Sequence, residues 1–299
     1  MPGKQVTELD ALPSFTDNSL LPVHNGAGLK KGLLSQLASY LGTKFSNPNL
    51  LINPDFKINQ RGATSYEKQG YSVDRWKIWN VTVTPSTSGG ITVKNDKYAD
   101  IGTFLQYLEN ATEGDSTLSC YVTSVSGTVT MVADDNSQVV LKQGLNVVLT
   151  SASTRAFTIF LNKGTSITLK WVKLEQGKVA TPFVVPNPAE ELTKCERFLL
   201  FTPSSMVGYR FDTYIYVYLE KLKNMRIDGT CSIRGINNDT SLLANGEGQS
   251  GVTLGSGISV SKDKQFIRID VKNISTSFKT KVLGIDMNKT DIIIDAEIY

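Results

Sequence analysis

The stretch from residue 71 to residue 79 gathers five side chains that suit sugar binding: Tyr71, Asp74, Arg75, Trp76 and Trp79. A flat aromatic ring covers the apolar face of a sugar, while a neighbouring carboxylate and guanidinium hold its hydroxyl groups. The pattern therefore predicts a glycan-binding site. A second interpretation, which the pattern favours, places both tryptophans in the core of a β-sandwich, with an aspartate–arginine pair closing the end of a strand.

Pairs of carboxylates are the best candidates for enzymatic chemistry in this chain. A glycoside hydrolase needs two acids roughly 5 to 9.5 Å apart that flank one bond. Most of the acids stand in turn-like settings, and residues 134–136 have the composition of a hairpin turn. Glu175 is interpreted as a turn or sheet-edge residue. The acids do not have the EF-hand spacing that is typical of calcium sites. The candidate acids are Glu109, Glu113, Asp115, Asp134 and Asp135.

A single histidine, His24, excludes several kinds of site. Zinc sites of the HExxH type, Cys2His2 fingers and two-histidine metal sites all require more than one histidine. Cys120, Cys195 and Cys231 are widely spaced and form no CxxC pair, so we expect them to be reduced and partly buried. No nucleophile–base pair can be named. The sequence therefore predicts no catalytic residue, no metal and no cofactor.

Charge and hydropathy argue against nucleic-acid and membrane partners. The chain has 31 basic and 28 acidic residues, a net charge of +3, whereas a nucleic-acid binder concentrates basic residues on one face. Its apolar runs are far shorter than the ~20 residues of a membrane helix. Its first residues lack the apolar stretch of a secretory signal, so we expect folding in a reducing cytoplasm.

Residues 1–47 carry a leucine-rich stripe. Apolar residues recur there at steps of three and four, which predicts an amphipathic helix from Leu29 onward. A segment this short cannot bury an apolar stripe alone. We expect it to pack against its own copies, against the next domain or against a docking partner. The stripe consists of Leu33, Leu34, Leu37, Leu41 and Phe45.

Residues 48–186 are predicted to be β-structure throughout. Short runs rich in β-branched and aromatic residues are bounded by Gly, Asn, Asp or Ser, which is typical of a sandwich of two antiparallel sheets. The stretch from Tyr98 to Leu108 suits either a helix or a strand. The predicted strands are Ile91–Val93, Thr117–Val125, Thr128–Val132, Val139–Leu141, Asn146–Leu149, Ala156–Leu161 and Ser166–Leu174.

A proline-rich linker and a short helix follow. Pro182 and Pro186 cannot lie inside a sheet, and residues Ala189–Phe198 are strong helix formers with one apolar side. Strands return from residue 199. The predicted strand Tyr209–Leu219 is apolar on both faces, so we expect it to be buried on both, inside a sandwich or against another subunit. Further strands are predicted at Gly229–Arg234, Gly257–Val260, Gln265–Val271 and Asp291–Tyr299.

The predicted fold class is mainly β. A short helical N-terminal segment (1–47) precedes a β-sandwich (48–186), and a linker helix leads into a C-terminal β domain (187–299). Two antiparallel β-sandwich domains are thus joined by a short helix.

Three ordered motifs resemble segments of bacteriophage fibre and receptor-binding proteins, over roughly the first two thirds of the chain. The segment 7–41 is similar to their N-terminal segments, and the middle region resembles their carbohydrate-binding-like jelly roll. Residues 190–198 look like the helix that leads into a C-terminal tip domain. The middle-region motifs are Asn49-Leu-Leu-Ile-Asn-Pro-Asp-Phe56, Asn59-Gln-Arg-Gly62, Tyr71-Ser-Val-Asp-Arg-Trp76, Trp171-Val-Lys-Leu-Glu-Gln-Gly177 and Ala180-Thr-Pro-Phe183.

The resemblance implies a homotrimeric virion fibre, of the head or of the tail, that folds in the host cytoplasm. Its residues 1–47, including the leucine stripe, would form the attachment and trimer interface with a capsid or tail protein. Its C-terminal domains would face a host-surface glycan. We therefore expect a structural adhesion protein and not an enzyme. The alternatives are a virion-associated glycosidase or depolymerase, and a detached bacterial carbohydrate-binding module.

Overall fold

In the computed structural model, the described residues are 46–98 and 100–201 together with shorter stretches on either side. The shorter stretches are 19–24, 29–34, 37, 205–211, 214–218, 224–225, 230–235, 241–242, 252–261, 266–272, 282–286 and 290–297. The chain is mainly β, as predicted. The one helix whose bounds lie within these residues is α1 (Pro188–Glu196).

The N-terminal segment contains a hairpin where a helix was predicted. Strand β1 (Leu20–His24) pairs antiparallel with β2 (Leu29–Leu33), so the prediction of a helix from Leu29 is wrong for this stretch. The cross-strand hydrogen bonds satisfy the backbone of a run that contains Gly32, a poor helix former. Leu34 and Leu37 are helical, and Leu41 and Phe45 lie outside the described residues.

The middle of the chain forms a ten-stranded antiparallel sheet that is nearly barrel-shaped. Along its main path the strands follow the order β10-β7-β12-β5-β4-β6-β11-β8-β9, and β3 pairs with β4 beside this path. Its strands are β3 (Tyr66–Tyr71), β4 (Lys77–Pro85), β5 (Ile91–Asn95), β6 (Gly102–Tyr107), β7 (Ser116–Ser126), β8 (Val129–Val132), β9 (Gln138–Val140), β10 (Gly144–Thr150), β11 (Ala156–Leu161) and β12 (Thr165–Gln176).

Strand β4 joins two groups of strands into one hydrogen-bonded sheet. Strand β4 pairs with β6 through Lys77–Trp79 and with β5 through Thr82–Pro85. The two groups of strands are therefore joined by continuous hydrogen bonding. Between the two pairings, Asn80 has a φ of 52°, and the register with β3 shifts there. Such an irregularity bends a strand and helps a sheet to curl.

Several sequence predictions are confirmed in this region. Strand β11 has the predicted bounds, and the ambiguous stretch around residues 98–108 contains strand β6. Residues 134–136 do form the hairpin turn between β8 and β9, with Asn136 at a φ of 66°. Strands β3 and β4 were not predicted.

The interior of the sheet is built around an aromatic cluster. The rings of Trp76 and Phe104 stack with centroids 4.7 Å apart, and Phe56 and Phe157 pack against Trp76. All four side chains are at most 1% exposed. Aromatic side chains of this size supply a large part of the apolar area that a core buries.

Helix α1 leads into the sheets of the C-terminal third. Asn187 caps the helix by accepting a hydrogen bond from the Ala189 N–H at 2.9 Å. A three-stranded sheet has the order β13-β21-β16, and a six-stranded sheet has the order β17-β18-β19-β15-β14-β20. Their strands are β13 (Leu199–Phe201), β14 (Ser205–Phe211), β15 (Tyr214–Tyr218), β16 (Thr230–Gly235), β17 (Ser241–Leu242), β18 (Val252–Ser261), β19 (Phe266–Lys272), β20 (Val282–Asp286) and β21 (Thr290–Asp295).

The prediction of a single strand over Tyr209–Leu219 is wrong. The chain turns back within it, because β14 and β15 pair antiparallel with Phe211 opposite Tyr214. Tyr218 is 65% exposed in the single chain. The expected burial of both faces is therefore not met at this residue within one subunit.

The aromatic cluster gives a first prediction. Trp76→Ala is expected to lower the free energy of unfolding by about 3–5 kcal/mol, because it opens a large cavity in a packed core. The matched control is Trp79→Ala on β4, where the side chain is 49% exposed, and about 1 kcal/mol or less is expected there. Urea unfolding followed by circular dichroism measures both. Equal losses in the two variants would contradict the placement of Trp76 at the centre of the core.

Candidate functional site

The five residues of the predicted glycan site do not form one surface cluster. Asp74 and Trp76 are fully buried and Arg75 is 2% exposed, whereas Trp79 is exposed and Tyr71 is half-buried. Three of the five side chains therefore face the interior, which corrects their expected position on a sugar-binding surface. The core interpretation describes Trp76 but not Trp79. Glycan binding at Tyr71 and Trp79 stays a prediction.

Asp74 organises the loop before β3. Its two carboxylate oxygens accept hydrogen bonds from the Gln60 backbone N–H at 2.7 Å and from the Gln60 Nε2 at 2.6 Å. The same Nε2 donates to the carbonyl oxygen of Leu199 at 2.9 Å. Burial raises the pKa of the Asp74 carboxyl, against the hydrogen bonds from Gln60, which lower it. Asp74 thus fixes a loop that in turn contacts β13.

Arg75 binds the end of the C-terminal third. Its Nη1 lies 2.5 Å from Glu297 Oε2, and its backbone N–H donates to Glu297 Oε1 at 3.2 Å. Its Nη2 donates to the carbonyl oxygen of Tyr107 at 2.8 Å, and its guanidinium carbon lies 3.6 Å from the centre of the Phe198 ring. An arginine stacked on an aromatic ring and paired with a carboxylate is strongly oriented.

Two more charged groups complete this contact. Arg61 Nη2 lies 3.7 Å from Glu297 Oε1 and 3.6 Å from Asp295 Oδ2. We call Arg61, Arg75, Phe198, Asp295 and Glu297 the junction cluster. Glu297 is fully buried as a side chain, so its charge depends on these partners and not on water.

Backbone pairing brings the distant parts of the junction cluster together. Strand β13 directly follows Phe198 and pairs with β21, with Leu199 opposite Asp295. The Ala296 N–H then donates to the Phe198 carbonyl oxygen at 2.6 Å, which directs Glu297 toward Arg75. Sequence reasoning missed Glu297. An available signal was a glutamate among the apolar residues of the string Ile294-Asp-Ala-Glu-Ile.

A cavity of about 520 Å³ lies next to the junction cluster, and we call it the junction cavity. Gln106 stands in its wall and exchanges two hydrogen bonds with the backbone of Ile52, at 2.8 and 2.7 Å. The loop after β6 is held by Thr112, whose backbone N–H donates to the Thr154 carbonyl oxygen at 2.9 Å. The lining residues are Leu50, Ile52, Arg75, Gln106, Tyr107, Leu108, Glu109, Asn110, Ala111, Thr112, Glu113, Gln176 and Phe198.

Polar groups of the junction cavity differ in how well they are paired. Both carboxylate oxygens of Glu109 bind Arg197, at 2.8 and 2.9 Å. Within the part of the chain that the structure describes, no ion pair holds the Glu113 carboxylate. The Nε of Arg75 is buried and has no hydrogen-bond partner there. An unsatisfied buried donor costs about 1–3 kcal/mol, so this atom lowers the stability of the folded protein.

The structure separates the candidate acids. Glu109 and Glu113 line the junction cavity together, whereas Asp134 and Asp135 belong to the β8–β9 turn. Asp135 accepts hydrogen bonds from Thr150 Oγ1 at 2.7 Å and from the Ser137 N–H at 2.9 Å, and these bonds lower its pKa. Asp115 pairs with Lys178 at the surface, and Asp134 accepts a hydrogen bond from the Arg155 N–H.

The structure corrects the interpretation of Glu175 as a turn or sheet-edge residue. It lies within strand β12, fully buried, and its carboxylate is 3.1 Å from Lys173 Nζ. The Thr181 backbone N–H donates to the same carboxylate at 2.9 Å. This buried pair holds the segment after β12 against the outer side of the sheet.

Apolar side chains cover a different part of the surface. Leu145 on β10 lies opposite Tyr121 on β7, and Tyr121 lies opposite Trp171 on β12. The Trp171 ring stacks on Phe183 with centroids 4.7 Å apart. Leu145 and Leu149 are 60% and 52% exposed. We call these five residues the outer apolar face.

The cysteines and possible metal ligands carry no site among the described residues. Cys120 and Cys195 are buried and free. Burial raises the pKa of the Cys120 thiol to about 12 and also raises that of Cys195. Neutral thiols of this kind are poor nucleophiles. Within the described ranges, no group of three or more His, Cys, Asp or Glu side chains is placed to hold a metal ion.

Comparisons with known proteins add no relative. No protein-family model matches the chain, and no curated protein matches it either. Among the described residues, no helix is long and apolar enough to cross a membrane.

The burial of Glu297 gives a prediction about pH. Desolvation raises the pKa of this carboxyl above its ordinary value of 4.5, against the opposing charges of Arg75 and Arg61. The folded state therefore holds the proton more tightly than the unfolded chain, and the free energy of unfolding falls as pH rises from 4.5 through the raised pKa. Glu297→Gln removes this contribution, so its unfolding free energy is expected to fall less over the same range.

Urea unfolding at pH steps between about 4 and 7 measures this difference. The control is Glu67→Gln, at an exposed carboxylate paired with Lys97, which is expected to keep the pH slope of the wild type. The same slope in Glu297→Gln and in the wild type would show that the Glu297 carboxyl titrates normally in the folded protein.

Proposed function

We propose that this chain is a structural fibre protein of a bacteriophage virion, which projects β domains toward the host surface and attaches to host glycans. The observation that carries the proposal is the junction cluster. A fibre must hold its binding end in a fixed position relative to its attached end. A buried contact between consecutive domains does this better than a flexible linker. The buried contact of Arg75 with Phe198 and Glu297 supports this role.

The proposed layout has three parts. Residues 1–47 attach to a capsid or tail protein, residues 48–186 form a jelly-roll-like spacer, and residues 187–299 form the tip. The mainly β composition, the nearly barrel-shaped sheet and the separate sheets after α1 support this arrangement. The sequence resemblance to phage fibres supports the virion location. It fits a head fibre and a tail fibre equally well.

In this proposal the protein is a homotrimer. The outer apolar face supports it, because Leu145 and Leu149 are largely exposed in the single chain. Exposed apolar patches on soluble proteins commonly mark contacts with a partner. Trimerisation also raises avidity, since three weak glycan contacts on one particle act together.

The proposal leads to a test of assembly and adhesion. Light scattering of the purified protein is expected to give three times the chain mass of 32.7 kDa. The fluorescently labelled protein is expected to bind some strains in a panel of Gram-positive and Gram-negative bacteria. Mild periodate oxidation of the cells should remove that binding, because it destroys sugar diols. A monomeric mass would contradict the trimer, and the absence of binding to every strain would contradict the adhesive function.

A virion-associated glycosidase is the second candidate, because Glu109 and Glu113 line one cavity. Binding without catalysis is preferred, since the ion pair with Arg197 engages both oxygens of Glu109 and leaves neither free to pass a proton to a substrate. Incubation with capsular and cell-wall polysaccharides, followed by a reducing-end assay, separates the two functions. Release of reducing ends that Glu113→Gln abolishes would establish the glycosidase instead.

A further inference from the structure

We propose that the junction cavity is a saccharide-binding site that takes an uncharged sugar residue. The inference rests on the proposed attachment to host glycans and gives that function a place on the molecule. This site is not the glycan site predicted from the sequence at residues 71–79, with which it shares only Arg75. The cavity is formed by the end of β6, the loop after it and the residues around α1.

The size and surface of the cavity suit a small amphipathic ligand. Its volume of about 520 Å³ falls within the range of small-molecule sites, about 300–1,000 Å³. Leu50, Tyr107 and Leu108 supply apolar surface, while Asn110 supplies an amide and Glu113 a carboxylate. A sugar ring presents the same combination, with C–H groups on its faces and hydroxyl groups around its edge.

The hydrogen-bonding groups of the cavity complement sugar hydroxyls. Arg75 forms part of the wall, but its Nε is shielded from any water-sized group and gives a ligand no contact. Asn110 offers a side-chain amide at the exposed side of the cavity. Glu113 offers carboxylate oxygens at the exposed side. A hydroxyl group both donates and accepts, so the hydroxyl groups of a sugar can donate to Glu113 and pair with the amide of Asn110.

The charge balance of the lining favours a neutral sugar over an acidic one. Glu297 compensates the charge of Arg75, and Arg197 compensates that of Glu109. The remaining charge in the lining is the carboxylate of Glu113. It repels a uronic acid and accepts hydrogen bonds from an uncharged hexose or N-acetylhexosamine.

The binding test uses the full chain and defined sugars. Saturation-transfer NMR and calorimetric titration are carried out with methyl glucoside, methyl galactoside, N-acetylglucosamine and glucuronic acid. At least one neutral sugar is expected to bind, and glucuronic acid is expected to bind about tenfold more weakly than that sugar. Failure of every neutral sugar to bind below about 50 mM would overturn the proposal.

Two substitutions in the cavity and one outside it locate the binding. Ala111→Trp fills the cavity from its loop and is expected to lower the affinity for the neutral sugar at least about tenfold. Glu113→Gln is expected to narrow or remove the discrimination against glucuronic acid. Glu67→Gln, the same change at an exposed carboxylate outside the lining, should bind like the wild type. Unchanged affinity in a folded Ala111→Trp protein, checked by near-ultraviolet circular dichroism, would also overturn the proposal.

Cell binding distinguishes this inference from the function on which it rests. If the wild-type protein binds bacteria and Ala111→Trp binds them equally well, the glycan contact lies elsewhere and only the inference fails. If the wild-type protein binds no bacteria of the panel, the adhesive function fails, whatever the sugar titrations show. Loss of both sugar and cell binding in Ala111→Trp supports the two proposals together.

Discussion

The guanidinium of Arg75 lies between the carboxylate of Glu297 and the ring of Phe198, and this buried contact links the barrel-like sheet to the C-terminal sheets. Arg75 has a φ of 73°, a left-handed conformation that is uncommon outside glycine. The surrounding contacts must hold this conformation in place. Removing one partner of a buried ion pair leaves an uncompensated charge, which typically destabilises a protein by about 3–5 kcal/mol. Arg75 therefore contributes both to stability and to the contact between the barrel-like sheet and the C-terminal sheets.

The β architecture could be predicted from local patterns, because strand propensity and turn residues act within a few positions. Strand β11 and the turn at residues 134–136 are examples. The second strand of the N-terminal hairpin, β2, was missed because leucines at steps of three and four fit a helix, while the pairing of β1 with β2 decides the outcome. The periodicity of apolar residues shows which face of a segment is apolar, but it does not show which partner covers that face.

The candidate site could be predicted only in part. Asp74, Arg75 and Trp76 were selected as one cluster, but the structure buries each with a separate partner, namely Gln60, Glu297 and Phe104. The sequence did not show whether these side chains point to the interior or to the surface, because the sugar-binding and core interpretations require the same residue types. Glu297 lies more than two hundred positions from Arg75 and meets it through the β13–β21 pairing. Contacts of that sequence separation leave no periodic signal in a single sequence.

The pairing of Leu199 with Asp295 also means that the chain enters and leaves the C-terminal sheets at one place. Everything between these two residues is in effect an insertion whose two ends are neighbours. Such a segment can be exchanged as a cassette, by recombination or by design, without rerouting the rest of the chain. The new segment needs only to close with a short antiparallel strand pair and to keep a glutamate two positions after it. Variation between residues 199 and 295 is thereby separated from the integrity of the ten-stranded sheet that precedes them.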